Sequence, residues 1–255
     1  MILGPRGNGT DPYARCFEEL DDAVKAIRCT DDVIFNAHSF APPPTGILYN
    51  TDVVGMVVTD DNGGKVDLQP KHPWFDGRRH WDIFQRNVER WRSAGQNAEH
   101  VPVGWHPTMK RFHRAEESDI DVVFSGRVND RRKAVIDALK AYGLQVVVLT
   151  GPPNPELRDH FLARAKIALN MLYYPAERGS LYPVLRAAHL VANGVPMVSE
   201  FAPERPYWTG LATHYEQLAN DIKELCRPGM AHARAKLAET ALERFQKEPL
   251  TLPVS

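Results

Sequence analysis

Two patterns of hydrophobic spacing alternate along the 255-residue chain. In one, apolar residues run together for a few positions and stop at a turn, as strands buried on both faces of a parallel sheet do. In the other, they return every three or four positions, the spacing of a helix with one buried side. The runs fall at Val33-Ile34-Phe35, Ile47-Leu48-Tyr49-Asn50, 53–58, 100–105, 121–124, 144–149 (LQVVVL), 167–173 and 195–198. Helical spacing falls at 11–28, where Cys16, Leu20, Val24 and Ile27 share a face, and at 81–91, 131–142, 155–165, 215–226 and 231–245. Asp11-Pro12 suits the cap and first position of a helix, and Asp60-Asp61-Asn62-Gly63-Gly64 is a turn signal. This rhythm predicts an α/β fold of two Rossmann-like domains facing each other across a cleft. The charged stretch 109–119 lacks apolar periodicity and is the predicted linker. It sets the domains at 1–115 and 116–255, with the last helix a candidate to cross back to the first.

The stretch 179–200, GSLYPVLRAAHLVANGVPMVSE, reads as a loop, a helix, a tight turn and a buried strand. Leu185, Leu190 and Val191 alternate with Ala187, Ala188 and Ala192 in a close-packing helix, which Asn193-Gly194 ends. A helix start aimed at a cleft attracts anions, and Arg186 adds a cation whose fork matches phosphate. In open parallel sheets ligands bind beyond the carboxyl ends of the strands. Ser125-Gly126-Arg127, Thr150-Gly151, Tyr173-Tyr174 and Ser199-Glu200 each end a predicted strand. With Arg186 and Ser180 they describe a nucleotide-diphosphate pocket. Read one at a time, the same residues are a turn glycine, a surface arginine and a strand-end glutamate.

Composition narrows this only a little. Hydrophobic residues make up 43% and charged residues 25%, and mean hydropathy is −0.38, as in a soluble globular protein. No apolar run approaches the ~20 residues that span a bilayer, and MILGPRGNG lacks a secretory core, so a cytoplasmic location is expected. Cys16, Cys29 and Cys226 are scattered, which argues for reduced thiols and against a zinc site or disulfide framework. A net charge of −1 exerts no global pull on nucleic acid. The basic, aromatic segment 71–92 with Lys110, Arg111 and Arg114 has two readings. One is a solvated helix with Trp81, Phe84 and Trp91 packed inward; the other is a phosphate-contacting face.

The runs DIDVVFSGRVNDRRKAVIDALKAYGLQVVVL, LRDHFLARAKIALNMLYY and LRAAHLVANGVPMVSE carry a resemblance. Together they resemble the C-terminal domain of GT-B glycosyltransferases, and most closely the spore-protein-like branch. ILYNTDVV, the helix containing Asn87 and HVPVGWHPTM are similar to the upstream part of that branch, so the likeness spans about 30–200. It implies a metal-independent transfer of a hexose from a nucleotide-diphosphate sugar, by family default a UDP-sugar, to a hydroxyl. Gly126 and Arg127 would lie near the diphosphate, with Arg132 close by. The backbone of Ser180 and Leu181 and the Arg186 guanidinium would neutralise the leaving diphosphate. Many retaining members carry paired glutamates where this chain has Leu181 and His189. Ribose recognition and the retaining or inverting course therefore stay open, and Glu200 is a candidate sugar or ribose contact.

The acceptor side falls to the first half. An inverting transfer needs a base beside the acceptor hydroxyl. His38, at the end of a predicted strand, is the candidate, with Asp11 and Asp52 as rivals; helix capping already accounts for Asp11. The GPRGNG turn falls short of a GxGxxG fingerprint and reads as lining the cleft. The acceptor is a small molecule, a polysaccharide or a hydroxymethylated pyrimidine in DNA, the last as in compact phage enzymes of this fold. A reading of another class is a sugar-nucleotide-binding protein without transfer activity.

Overall fold

The structure is a computed structural model that describes residues 22–24, 33–35, 47–50, 57–59, 65–67, 76–150, 154–178 and 180–253. It divides into two units, Met1–Val103 with Leu250–Ser255, and Gly104–Pro249.

In the first unit the described elements are β1 (Val33–Phe35), β2 (Ile47–Asn50), β3 (Val57–Thr59), β4 (Lys65–Asp67), β5 (Arg79–Asp82), α1 (Gln85–Ser93) and β6 (Asn97–His100). Strands β1-β2-β5-β6 form a parallel sheet in that order, and β3 pairs antiparallel with β4. The helix expected over 81–91 is shorter, because Arg79–Asp82 is a strand paired on both sides, with β2 and with β6. Two ladders outweigh the helical spacing of Trp81 and Phe84. The fully buried Asp82 carboxylate then marks the change of element. It accepts hydrogen bonds from Phe84 N (2.8 Å), Asn87 Nδ2 (3.1 Å) and Trp91 Nε1 (3.1 Å). Trp81, Phe84 and Trp91 are all buried, as the packed reading of this segment expects. Strand pairing at 97–100 precedes the stretch expected at 100–105, where Val101 and Val103 are buried outside any ladder.

The second unit runs β7 (Ile120–Ser125), α2 (Asp130–Ala141), β8 (Val146–Leu149), α3 (Pro155–Arg164), β9 (Ala165–Asn170), α4 (Val184–Ala192), β10 (Met197–Glu200), β11 (Leu211–Thr213), α5 (Leu218–Cys226) and α6 (Ala231–Gln246). Its five strands form a parallel sheet in the order β11-β10-β9-β7-β8. Val122, Phe124, Ile167, Leu169 and Val198 of the sheet pack with Val135, Ile136 and Leu139 of α2 and Leu218 and Ile222 of α5. Strand β8, expected to be buried on both faces, lies at the sheet edge and its valines are half-buried. Strand β11 is too short and too weakly apolar to show in the pattern. The buried Cys226 thiol is free, and burial pushes its pKa up to about 11.

The charged stretch expected as a linker is held against this unit. Asn193 Oδ1 accepts from the backbone N–H of Arg111 (2.7 Å) and Phe112 (3.1 Å), and Asn193 Nδ2 donates to Met109 O (3.1 Å). Ala115 N donates to Ala163 O at 3.0 Å, and Arg114 donates to Ala165 O. Backbone capture of this kind needs no apolar periodicity, so the pattern could not reveal it. Among the described residues no helix is long and apolar enough to cross a membrane.

Candidate anion site at the strand ends

A parallel sheet brings the carboxyl ends of β7, β9 and β10 to one edge, and the polar groups of the second unit gather there. Strand β7 ends in the buried Phe124, then Ser125 and Gly126. Gly126 has φ of +147°, in the left-handed half of the map that side chains rarely adopt. A Cβ on it would lie 2.7 Å from Arg186 Nη2, so a backbone without a side chain lets this guanidinium lie against the loop. Arg186 stands in the first turn of α4, and its Nη1 donates to Asn170 Oδ1 (3.2 Å) at the end of β9. Its Cζ lies 5.5 Å from the Phe124 ring centre, and that of Arg132 lies 5.4 Å from the same ring. Phe124 thus spaces two cations.

The two arginines that open α2 are spent within the protein. Arg132 is buried and donates to the carbonyls of Leu172 (Nε, 3.0 Å), Met171 (Nη2, 2.6 Å) and Arg127 (Nη1, 2.8 Å), tying the end of β9 to the loop after β7. Burial, with the nearby Arg186 charge, lowers its pKa to about 9. Arg131 forms a two-pronged pair with Glu200: Nη1 donates to Oε2 at 2.8 Å and Nη2 to Oε1. Glu200 Oε2 also accepts from Leu172 N (3.1 Å), and the Arg131 guanidinium lies 3.9 Å over the Tyr215 ring. Asn129 caps α2 through its Oδ1 on Arg132 N (3.0 Å) and donates to Tyr173 O (2.7 Å). Arg131, Arg132 and Arg186 thus gather at this edge, and the Glu200 carboxylate pairs with Arg131.

The structure brings Gly126, Arg186 and Arg132 together and leaves Arg127 exposed on the loop beyond Gly126. Glu200, expected to reach a sugar or ribose, has both carboxylate oxygens engaged by Arg131. Ser180 and Leu181 lie ahead of the helix, which begins at Val184 after Pro183. Proline disfavours the helical conformation in the residue before it, so α4 cannot extend back through Tyr182. Ser180 is buried and its Oγ accepts from Tyr174 N at 3.4 Å. His189, at a position where the resembling family carries glutamate, places Nε2 2.8 Å from Asp159 Oδ1 and ties α4 to α3. Burial raises the Asp159 pKa, but the hydrogen bond and charge of His189, with Arg158, outweigh it and leave the carboxyl below its ordinary value. His38, Asp11 and Asp52, like Gly151 and Gly179, lie outside the described residues. Among the described residues no three His, Cys, Asp or Glu side chains cluster as a metal centre requires.

Arg131, Asn170 and Tyr182 are given no site role by the sequence pattern. Asn170 carries a signal in hindsight, a polar residue closing the otherwise buried strand AKIALN. Arg131 does not, since nothing local distinguishes it from Arg132.

No family model matches the sequence. A 92-residue stretch, 36% of the chain, is 27% identical to the uncharacterized protein L137 of Acanthamoeba polyphaga mimivirus and spans 12% of that relative. Another of 61 residues is 30% identical to the phosphate import ATP-binding protein PstB 2 of Lactiplantibacillus plantarum, covering 24% of each chain. The chain thus matches a quarter or less of the length of either curated relative. Among solved structures it is similar to AviGT4, a glycosyltransferase involved in avilamycin A biosynthesis. That likeness has a TM-score of 0.50 at 13% identity, over 96% of this chain and 95% of the other. At that identity it is a likeness of fold, and the chain shares the α/β fold of a glycosyltransferase.

Proposed function

We propose that the second unit binds a nucleotide-diphosphate sugar and that the chain transfers its hexose to a hydroxyl acceptor without a metal. The observation that carries this reading is the contact between Gly126 and Arg186. A bare backbone loop at the end of β7 lies against a guanidinium in the first turn of α4. A diphosphate seated there would meet loop amides, the partial positive charge of the helix start and the Arg186 fork. Those groups stabilise the charge that develops on a leaving nucleotide diphosphate, the work Mg²⁺ performs elsewhere. Arg132 and the Arg131–Glu200 pair hold the surrounding loops in place, so little reorganisation is required when the anion arrives. The fold shared with AviGT4 agrees with this chemistry.

Titration calorimetry with UDP, GDP, dTDP and CDP, followed by hydrolysis assays with the matching sugar nucleotides, tests the proposal. One nucleotide diphosphate should bind, and Arg186→Ala should weaken it by tenfold or more and abolish sugar release. Absence of binding to all four refutes the reading. Adding glycans, small alcohols and hydroxymethylated DNA to the active mixture identifies the acceptor. One feature favours a second reading, a binder without turnover. The family's two glutamate positions hold Leu181 and a His189 committed to Asp159. Tight binding with neither hydrolysis nor transfer would decide for it.

A further inference from the structure

We propose that Asn170 is a positioning residue. It orients the Arg186 guanidinium toward a bound diphosphate through a neutral oxygen that adds no charge of its own. The inference rests on the donor-site reading above and specifies how that site is built.

A guanidinium can only donate hydrogen bonds, so the Asn170 amide must turn its oxygen to Arg186, as it does at 3.2 Å. Its Nδ2 then needs an acceptor and finds Ser199 Oγ at 3.4 Å on the neighbouring strand β10. Ser199 Oγ is in turn 2.7 Å from the Tyr182 hydroxyl. Asn170 and Ser199 are fully buried and Tyr182 is 1% exposed, so water is not at hand to satisfy these groups in another arrangement. Flipping the amide would set its NH₂ against the guanidinium. The amide therefore has one orientation, with its oxygen on Arg186.

The same sheet edge shows the alternative. Arg131 is held by the Glu200 carboxylate, which fixes that side chain and also cancels its charge. At Arg186 a group that holds the side chain is an amide of nearly the same shape as a carboxylate but without charge. An aspartate at 170 would hold the arginine at least as well and would oppose the arrival of an anion.

Calorimetry and thermal melting of the full chain, with inorganic pyrophosphate and with UDP as probes, test this in the parent, Asn170→Asp, Asn170→Ala and Arg186→Ala. Asn170→Asp is expected to melt at or above the parent temperature while both probes bind about tenfold more weakly or worse. Asn170→Ala should also lose several-fold in affinity, and it carries the test should the aspartate variant not fold. A residue that only packs the core would let affinity follow stability, which these opposed changes exclude. Unchanged affinity in both variants, with Arg186→Ala still impaired, overturns the inference and leaves the donor site standing. Pyrophosphate binding that obeys these expectations, with none of the four nucleotide diphosphates bound, removes the nucleotide-sugar reading and leaves the inference for a diphosphate. A parent that binds neither pyrophosphate nor any of the four nucleotide diphosphates overturns both.

Discussion

Replacing Gly126 by alanine perturbs the site at one atom and separates two effects. The first is local. At φ of +147° an alanine is strained, and such conformations cost about 1–3 kcal/mol. The second is transmitted: the new Cβ would stand 2.7 Å from Arg186 Nη2, closer than the two can approach. Because the obstructing atom ends a flexible side chain, the guanidinium swings away and the fold survives. What is lost is the Arg186 hydrogen bond to Asn170 and its alignment on a ligand. A hydrogen bond to a charged group is worth about 1.5–3 kcal/mol. Gly126→Ala should therefore destabilise the chain by about 2.5–6 kcal/mol and weaken pyrophosphate or UDP binding by about ten- to a hundredfold. The decisive assay is a double-mutant cycle with Arg186→Ala, read by denaturant melts and calorimetry. Without the Arg186 side chain, alanine at 126 should cost only its backbone strain and leave the residual affinity unchanged. The coupling between the two positions should then be about 1.5–3 kcal/mol. An equal loss of affinity from Gly126→Ala with and without Arg186 would refute the reasoning, since the ligand rather than the arginine would then be meeting the new methyl.

Two further outcomes follow from the ion pairs of the second unit. Glu200→Gln leaves Arg131 without its charged partner at a largely buried site and should destabilise by about 3 kcal/mol in denaturant melts. Glu200→Leu combined with Arg131→Met should recover much of that loss, and a double variant no better than the single one counts against this account. Asp159 is held below its ordinary pKa in the folded chain, so its contribution is complete above about pH 4 and is lost as pH falls further. The melting-temperature gap between the parent and Asp159→Asn should accordingly be wide at pH 7 and close below pH 4. A gap independent of pH would contradict the pairing with His189.

Apart from β11, the strands and helices of the second unit were legible in the pattern because each obeys a local rule. Strand β7 is a run of apolar residues, Asn129 caps α2, and Gly194 ends α4 with φ of +65°. The alternation of those elements was enough for a parallel α/β sheet, and the sheet in turn pointed to the strand ends. Errors arose where a longer-range partner outweighed a local signal. Two parallel ladders made Arg79–Asp82 a strand, and Asn193 captured the backbone of a stretch that looked like a linker.

The candidate site divides in the same way. Sequence marked Gly126 and Arg186, because a glycine at a strand end and an arginine near a helix start mean something where they stand. It could not tell how each of Arg131, Arg132 and Arg186 is held, since three guanidiniums are chemically identical until partners are assigned. The folded sheet makes that assignment by bringing together residues far apart in the chain. Glu200 meets Arg131, the carbonyls of Arg127, Met171 and Leu172 meet Arg132, and the neutral Asn170 amide meets Arg186. Local pattern thus determined the mixed α/β class and the sheet edge at which polar groups gather. Tertiary contact decided how each charge is spent, because a charge acts through its nearest partners and only folding chooses those.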